Sequence, residues 1–368
     1  MKKSSIFCLA LISCIILASC GGSEVSFSEI SSVSETSVSP SVSEEPQEPS
    51  LDIDEPEEIE YPQRPERLVN DKEPVITEIN RCVLTPADMV YGTGETYEYY
   101  RLAMDAMVAH ESEVRLTDDI DANLTIMSYF GENPYAIILS DYDLTKDNKG
   151  LHFEYAYSEE DCTTMLGYID SEYLRILNEI ITDEMTDLEK VLSVHKYFCE
   201  RISYDYDYTR ELMAADEPYL FPDFDVYTAL VTDRGVCHTY TYLCQFALQQ
   251  LGIECERAYG EMENSDESHM WLVVWLDGKG YHVDLTWDDV EGVGTSLQYF
   301  GMTSEENDNR GIWCGGNYLI DIALDANCVD SRFSDWRDIV DYELMENHKM
   351  WVQRADGSAE IIDLSEYQ

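Results

Sequence analysis

Gly235-Val236-Cys237-His238-Thr239-Tyr240-Thr241-Tyr242-Leu243-Cys244-Gln245-Phe246-Ala247-Leu248-Gln249-Gln250-Leu251-Gly252 is where the architecture of this chain first shows. Tyr240, Leu243, Cys244, Ala247, Leu248 and Leu251 recur at the spacing of a helix with one apolar face. Gly252 stands where a C-terminal glycine stop belongs. Cys237 falls in the first turn, where unpaired backbone N–H groups and the positive end of the helix dipole favour a thiolate. Position alone makes it the most activatable cysteine of the chain.

Downstream, His269-Met270-Trp271-Leu272-Val273-Val274-Trp275-Leu276 is followed by Asp277-Gly278, and Tyr281-His282-Val283-Asp284-Leu285-Thr286-Trp287 resumes the β-type residues. Asp-Gly between such runs signals a two-residue hairpin. With Leu276 opposite Lys279, Trp271 falls opposite Asp284 and His269 opposite Thr286. His269 and Asp284 are then diagonal neighbours on one face, about 7–8 Å apart at the backbone and within reach of each other's side chains. His282 shares the Asp284 face and is the substitute base if the register differs. The distance from this pair to Cys237 is a matter of tertiary packing.

Taken in order, Tyr227-Thr228-Ala229-Leu230-Val231, Arg234-Gly235-Val236-Cys237, Gly252-Ile253, His269-Met270-Trp271 and Val283-Asp284-Leu285-Thr286-Trp287-Asp288-Asp289 resemble the core of the transglutaminase-like superfamily. Val191 to Phe198, leading to Ile202-Ser203-Tyr204-Asp205, is similar to the helix that precedes the catalytic half in bacterial members. The resemblance covers about residues 186–303. It implies an α+β, papain-like fold with Cys237 as nucleophile, His269 as base and Asp284 as its orienter. Tyr227 is the side-chain candidate for an oxyanion donor. The family pattern departs after the nucleophile: where many bacterial members carry Gln-Gly-Tyr-Ala, this chain has His238-Thr239-Tyr240-Thr241. The substrate is therefore not carried over.

The N-terminus has Lys2-Lys3, an apolar run from Ile6 to Leu17, and Leu17-Ala18-Ser19-Cys20-Gly21. This order reads as a signal peptide over 1–20, too short for a confident membrane span. Its end resembles a bacterial lipobox, with Cys20 as the lipidated first mature residue and the protein anchored outside the cytoplasmic membrane. Residues 21–74 are Ser, Glu, Pro and Val with few aromatics and cannot bury enough apolar surface to order themselves. They read as an acidic tether with a reach on the order of 40 Å.

The remainder divides into a mixed subdomain over 75–180, the catalytic core over 181–303 and an extension over 304–368. In the first, Thr93–His110 and Glu159–Ile181 read as helices and Glu113–Leu116 as a strand. Tyr135–Leu139 and Leu151–Tyr157 read as a hairpin. The extension carries short strands near Lys349–Val352 and Ala359–Asp363. No internal repeat is evident.

With 75 acidic and 23 basic residues, the formal charge of −52 argues against nucleic acid and anionic lipid surfaces as partners and favours amine-bearing ones. The chain has 11 cysteines. Removing Cys8 and Cys14 with the signal, Cys20 by lipidation and Cys237 by assignment leaves an odd number, so no full disulfide framework is implied. Cys199 and Cys244 lie on apolar helix faces and read as core thiols; Cys314 and Cys328 are a candidate pair. No Cys or His spacing suggests a metal, and no cofactor is expected. His195, on an apolar helix face, reads as structural. Asp141-Tyr142-Asp143-Leu144-Thr145 lacks the glycine and final glutamate of a calcium loop.

The expectation is an extracytoplasmic cysteine acyltransferase or hydrolase acting on a protein or peptide amide, cell-wall peptide among them. A binding module that keeps the fold without catalysis is the alternative. A carboxylate glycosidase finds no acidic pair at working separation. Oligomeric state is left open.

Overall fold

The computed structural model describes residues 61–214, 226–262, 268–290, 294–313 and 328–367. The expected signal peptide, Cys20, most of the tether and Cys314 lie outside the described residues. The elements in chain order are α1 (Pro86–Tyr91), α2 (Gly94–Val108), β1 (Glu113–Arg115), α3 (Ile120–Glu132), β2 (Leu139–Leu144), β3 (Gly150–Tyr155) and α4 (Glu159–Ile180). They continue with α5 (Asp187–Arg201), β4 (Ser203–Tyr204), α6 (Tyr206–Ala214), α7 (Val226–Thr232), β5 (Arg234–Gly235), α8 (Cys237–Gln250), β6 (Cys255–Met262), β7 (Ser268–Leu276) and β8 (Lys279–Val283). The last are α9 (Leu285–Asp288), β9 (Asp289–Val290), β10 (Gly294–Thr295), α10 (Ser304–Asp308), β11 (Ile312–Trp313), β12 (Ile339–Met345), β13 (Lys349–Arg354) and β14 (Ala359–Asp363).

The fold is α+β. Three antiparallel sheets of three or four strands follow the chain: β1-β3-β2, then β11-β6-β7-β8, then β12-β13-β14. Helix α8 buries Tyr240, Leu243, Cys244, Phe246, Ala247 and Leu248. Each large side chain so buried contributes about 1.5–3 kcal/mol of hydrophobic stabilisation. These residues join one core that runs from Tyr100 on α2 to Leu364 and includes Leu272 and Val274 of β7. The opposite face of β6 and β7 carries a smaller apolar cluster of Ala258, Trp271, Val273 and Cys328. The central sheet is therefore covered on both faces.

The ends of α8 explain its placement. At its C-terminus Gly252 takes φ +73, Ile253 N–H bonds the Leu248 carbonyl (3.0 Å) and Gly252 N–H that of Gln249 (3.1 Å), which is a Schellman stop. At its start Gly235 is required because an added Cβ would fall 2.4 Å from Thr239 Cγ2. The expected hairpin register is observed, from Leu276↔Lys279 to Leu272↔Val283. Asp277 (φ +52) and Gly278 (φ +71) form its turn, with the two positive φ angles a tight two-residue hairpin demands.

Three features differ from the expectation. Tyr135–Leu139 is not a strand: Asn133 accepts the Tyr135 N–H (2.8 Å), Pro134 starts a 3-10 turn over Pro134–Ile138, and the strand begins only at Leu139. The hairpin partner of β3 is thus the acidic segment through Asp141 and Asp143, whose outward carboxylates hid a strand period. Helix α3, capped by the Asp119 side chain, had no expectation at all. β12 was likewise unforeseen, although it pairs with β13 over most of its length.

The last residues of the expected tether, 61–74, lie along the folded body. Trp351 Nε1 donates to the Pro62 carbonyl (2.8 Å), Arg64 pairs with Asp341 (2.9 Å), and Asn70 N–H bonds the Glu179 carbonyl (2.8 Å). The basic residues of this segment meet an acidic surface, which composition taken over the whole tether does not reveal. Among the described residues no helix is long and apolar enough to cross a membrane.

Candidate active site

Cys237 is the first residue of α8 and is 2 % exposed. Val236 before it offers no side-chain cap, and Thr239 Oγ1 instead reaches back to accept the Val236 N–H at 3.2 Å. The positive end of α8 is left to act on the sulfur. The chain enters this turn through parallel pairing of β5 with β4, reinforced by Asp205 N–H to the Gly235 carbonyl (2.8 Å) and by the Arg234–Asp205 ion pair (2.9 Å).

One hydroxyl ties the helix start to the strand that carries the histidine. Thr241 Oγ1 lies 2.8 Å from the Cys237 carbonyl and 3.2 Å from that of Met270, the residue after His269. His269 itself is buried, with Nε2 at 2.7 Å from Asp284 Oδ2. The Cys237 side chain also acts on this ring and raises its pKa. With Nε2 committed to Asp284, Nδ1 is the ring nitrogen left for a thiol. Trp271 and Trp287 stack on the same imidazole, at 5.9 and 5.2 Å between ring centroids. Burial pulls the imidazolium down, but Asp284 and then Cys237 outweigh it and lift His269 to about 9.

Asp284 meets His269 by a route the hairpin register alone did not give. β8 ends at Val283, so the pairs Trp271–Asp284 and His269–Thr286 do not form. The Asp284 N–H goes to the Tyr299 carbonyl (3.1 Å), and Asp284 becomes the N-cap of the single turn α9. Its Oδ1 accepts the Trp287 N–H (3.3 Å), which leaves Oδ2 for His269. Burial pushes this carboxyl up, whereas His269 and Arg310 outweigh it and hold it down at about 2.

Sequence reasoning missed Arg310. Its Nη1 is 2.6 Å from Asp284 Oδ2, and its side chain is 5 % exposed. The guanidinium lies over Trp287 (4.6 Å), Trp271 (5.2 Å) and Tyr299 (5.5 Å). Its place follows no local period; it sits between α10 and β11 and is delivered by tertiary packing. The available signal was the rarity of cations in so acidic a chain. His282, the substitute base, is occupied elsewhere: its Nδ1 accepts the Trp271 indole N–H at 2.9 Å. Burial, then Arg310, pull it down to about 3. Tyr227 is carried on α7 with its ring edge-on to Tyr168 of α4 (5.6 Å).

A second set of the same residue types lies at the other end of α9. Asp288 Oδ2 is 3.1 Å from His195 Nε2, and its Oδ1 accepts Ser296 Oγ (2.6 Å) and the Tyr299 N–H (2.9 Å). The Tyr342 hydroxyl donates to the Leu192 carbonyl (2.8 Å) and so accepts from His195 Nδ1 at 3.0 Å. Cys199 Sγ is 4.0 Å from His195 Nε2 and donates to the Leu285 carbonyl (3.4 Å). His195 and Asp288 have no exposed surface. Among the described residues no group of three or more His, Cys, Asp or Glu is arranged to hold a metal ion.

A thiol at a helix start, an imidazole against it and a carboxylate behind the imidazole define a thiol-enzyme-like arrangement on an α+β frame. Residues 175–285 match the family model of the transglutaminase-like superfamily. A stretch of 125 residues is 26 % identical to kyphoscoliosis peptidase of Mus musculus, covering 30 % of this chain and 18 % of that protein. Two solved structures are also similar over part of their length. One, from Cytophaga hutchinsonii and described as a candidate cysteine protease, shares 12 % identity over 39 % of this chain and 40 % of its own, with a TM-score of 0.26. The other, described as a TGase, shares 11 % identity over 48 % of this chain and 50 % of its own, with a TM-score of 0.29. At those scores the structural likeness carries no argument.

Proposed function

We propose that the protein is a cysteine acyltransferase or hydrolase that acts on a protein or peptide amide and is held outside the cytoplasmic membrane by a lipid on Cys20. The observation that carries this reading is the position of His269, bonded to Asp284 through Nε2 and raised by Cys237, the first residue of α8.

The Cys237 thiolate attacks the amide carbonyl carbon, forming the C–S bond as the carbonyl electrons move to oxygen. The Cys237 backbone N–H supports that oxyanion, with the Tyr227 hydroxyl as the side-chain candidate. The C–N bond then breaks, and the His269 imidazolium gives its proton to the departing amine while Asp284 holds the ring in place. An amine or water attacks the thioester, His269 takes the incoming proton, and the thiolate leaves. An amine yields a crosslink; water yields proteolysis or deamidation.

The test is alkylation of the full chain by iodoacetamide against pH, with Cys237→Ala and His269→Ala beside it. One thiol that reacts fast near pH 6, is absent from Cys237→Ala and slows in His269→Ala supports the reading. A Cys237 that reacts no faster than a free thiol of pKa near 8.5 overturns it. A glutamine peptide offered with a fluorescent primary amine then separates transfer from hydrolysis. The lipid on Cys20 is checked by detergent-phase partition, which Cys20→Ala should abolish.

The near-complete burial of the thiol, at 2 % exposure, favours a second reading in which the protein keeps the fold and binds a wall peptide or a partner protein without cleaving it. Under that reading Cys237→Ala leaves binding and phenotype unchanged.

A further inference from the structure

Asp284 Oδ2 has two cationic partners, His269 Nε2 at 2.7 Å and Arg310 Nη1 at 2.6 Å. We propose that Arg310 is a positioning residue for the thiol chemistry: it fixes the Asp284 carboxylate and shares its charge, so that the imidazolium can release a proton to the leaving amine. This inference rests on the reading of Cys237 and His269 as a catalytic pair.

The burial of the pair favours a partner of this kind. Asp284 has no exposed surface, and a lone buried carboxylate against a buried imidazolium makes a tight pair that opposes transfer of the imidazolium's proton. A general acid works best when its pKa lies near that of the operating pH. A second cation on the same oxygen weakens the hold of the carboxylate on the imidazole without moving either group.

The remaining surroundings favour a permanent charge at this point. Trp271, Trp287 and Tyr299 present their faces to the guanidinium, and such contacts gain when desolvated. Arg310 Nη2 is anchored by the fully buried Asn307 through Oδ1 at 2.5 Å. Trp271 and Trp287 also stack on His269, so the cation, both indoles and the imidazole form one assembly.

The titratable and charged groups around this assembly come from every neighbouring element. β7 supplies His269 and β8 supplies His282, whose Nδ1 accepts the Trp271 N–H. α9 supplies Asp284 and Asp288, the latter bound to His195. α8 supplies Cys237, the loop before α10 supplies Tyr299, and α10 supplies Glu306, which pairs with Arg337 (3.1 Å), and the exposed Asp308. Arg310 is the cation that touches the catalytic carboxylate.

The experiment follows the His269 imidazole by NMR across pH in the full chain labelled at histidine, with the signal assigned by its loss in His269→Gln. Arg310→Met removes the charge while filling the aromatic cage, and Arg310→Lys keeps the charge. Near-UV circular dichroism checks that the variants are folded, and Arg310→Gln replaces Arg310→Met if the latter does not fold. The expected result is a midpoint raised by about one pH unit in Arg310→Met and within about a third of a unit of wild type in Arg310→Lys. An unmoved midpoint in the uncharged variant, or equal shifts in both variants, overturns the inference. Cys237→Ala provides the separate arm: its midpoint should fall, since Cys237 raises His269. If it does not fall, the pairing of thiol and imidazole fails, whatever the Arg310 variants show.

Discussion

The two ends of α9 carry the same three residue types in opposite circumstances. At its start, Asp284 holds His269, which meets Cys237; at its end, Asp288 holds His195, which lies 4.0 Å from Cys199. Exposure does not separate the two cysteines, at 2 % and 3 %. Helix polarity does. Cys237 opens α8, where backbone N–H groups are in excess, whereas Cys199 sits in the last turn of α5, where the dipole is negative. Burial, then Asp288 and Asp289, push the Cys199 thiol well up, and its proton is donated to the Leu285 carbonyl. Under the proposed function, a cysteine, a histidine and an aspartate drawn together are therefore not by themselves a reactive site; the end of the helix on which the thiol stands sets the two apart.

The distal set has a mechanical role instead. Asp288 receives His195 from α5, Ser296 and the Tyr299 N–H, so α9 is fastened at the end opposite Asp284. Tyr299 returns to the site by accepting the Asp284 N–H on its carbonyl and by covering Arg310. One set does the chemistry under the proposed function, and the other holds the turn that presents its carboxylate.

The sharpest way to break this comparison is to remove each thiol. Cys237→Ala should abolish acyl transfer and hydrolysis, a loss of about a thousandfold or more. Cys199→Ala should leave the rate within about twofold and cost about 1 kcal/mol or somewhat more of stability by cavity formation. Parallel rate assays and denaturant titrations read both. A rate lost in Cys199→Ala with the fold intact would reverse the assignment.

Next come the two carboxylates. Asp284→Asn should lower the rate by at least about a hundredfold, because His269 loses the acceptor that sets its tautomer. Asp288→Asn should act mainly on stability, by about 1–3 kcal/mol, since it disturbs the buried hydrogen bonds that Asp288 makes with His195, Ser296 and the Tyr299 N–H. Rates measured well below the melting temperature of each variant separate the effects. Equal rate losses in the two would mean that α9 acts as one unit.

The smallest effect is in the pH dependence of stability. His269 is raised to about 9 in the folded state, so its contribution is complete below the unfolded value near 6.5 and is lost as pH rises through about 9. Asp284 is lowered to about 2, so its contribution is present above the unfolded value near 3.8 and fades as pH falls through about 2. Urea titrations from pH 6 to 10 should show a decline that flattens in His269→Gln. A decline of unchanged size in that variant would place its source in other groups.

Much of this site was legible beforehand. The extent of α8, its Gly252 stop, the hairpin at Asp277-Gly278 and its register follow from local periodicity and turn chemistry, and the structure repeats each of them. His195 was also correctly read as interior from its place on an apolar helix face. Elsewhere local pattern misled. Tyr135–Ile138 has strand-like residues but lies behind Asn133-Pro134, whose capping and fixed φ start a 3-10 turn. The acidic β2 and the helix α3 were passed over because neither shows a clean apolar stripe.

The sequence by itself determined the elements that carry Cys237 and His269 and the hairpin that leads to Asp284, because turns, caps and side-chain periods depend on residues a few positions apart. Only the tertiary structure decided that Asp284 leaves the sheet to cap α9, that Arg310 returns from beyond α10 to share its carboxylate, and that Cys199, His195 and Asp288 converge from separate elements. The reason is physical. These contacts join groups far apart in the chain, and they form only when burial of the shared core has already fixed the helices and sheets that bring them together.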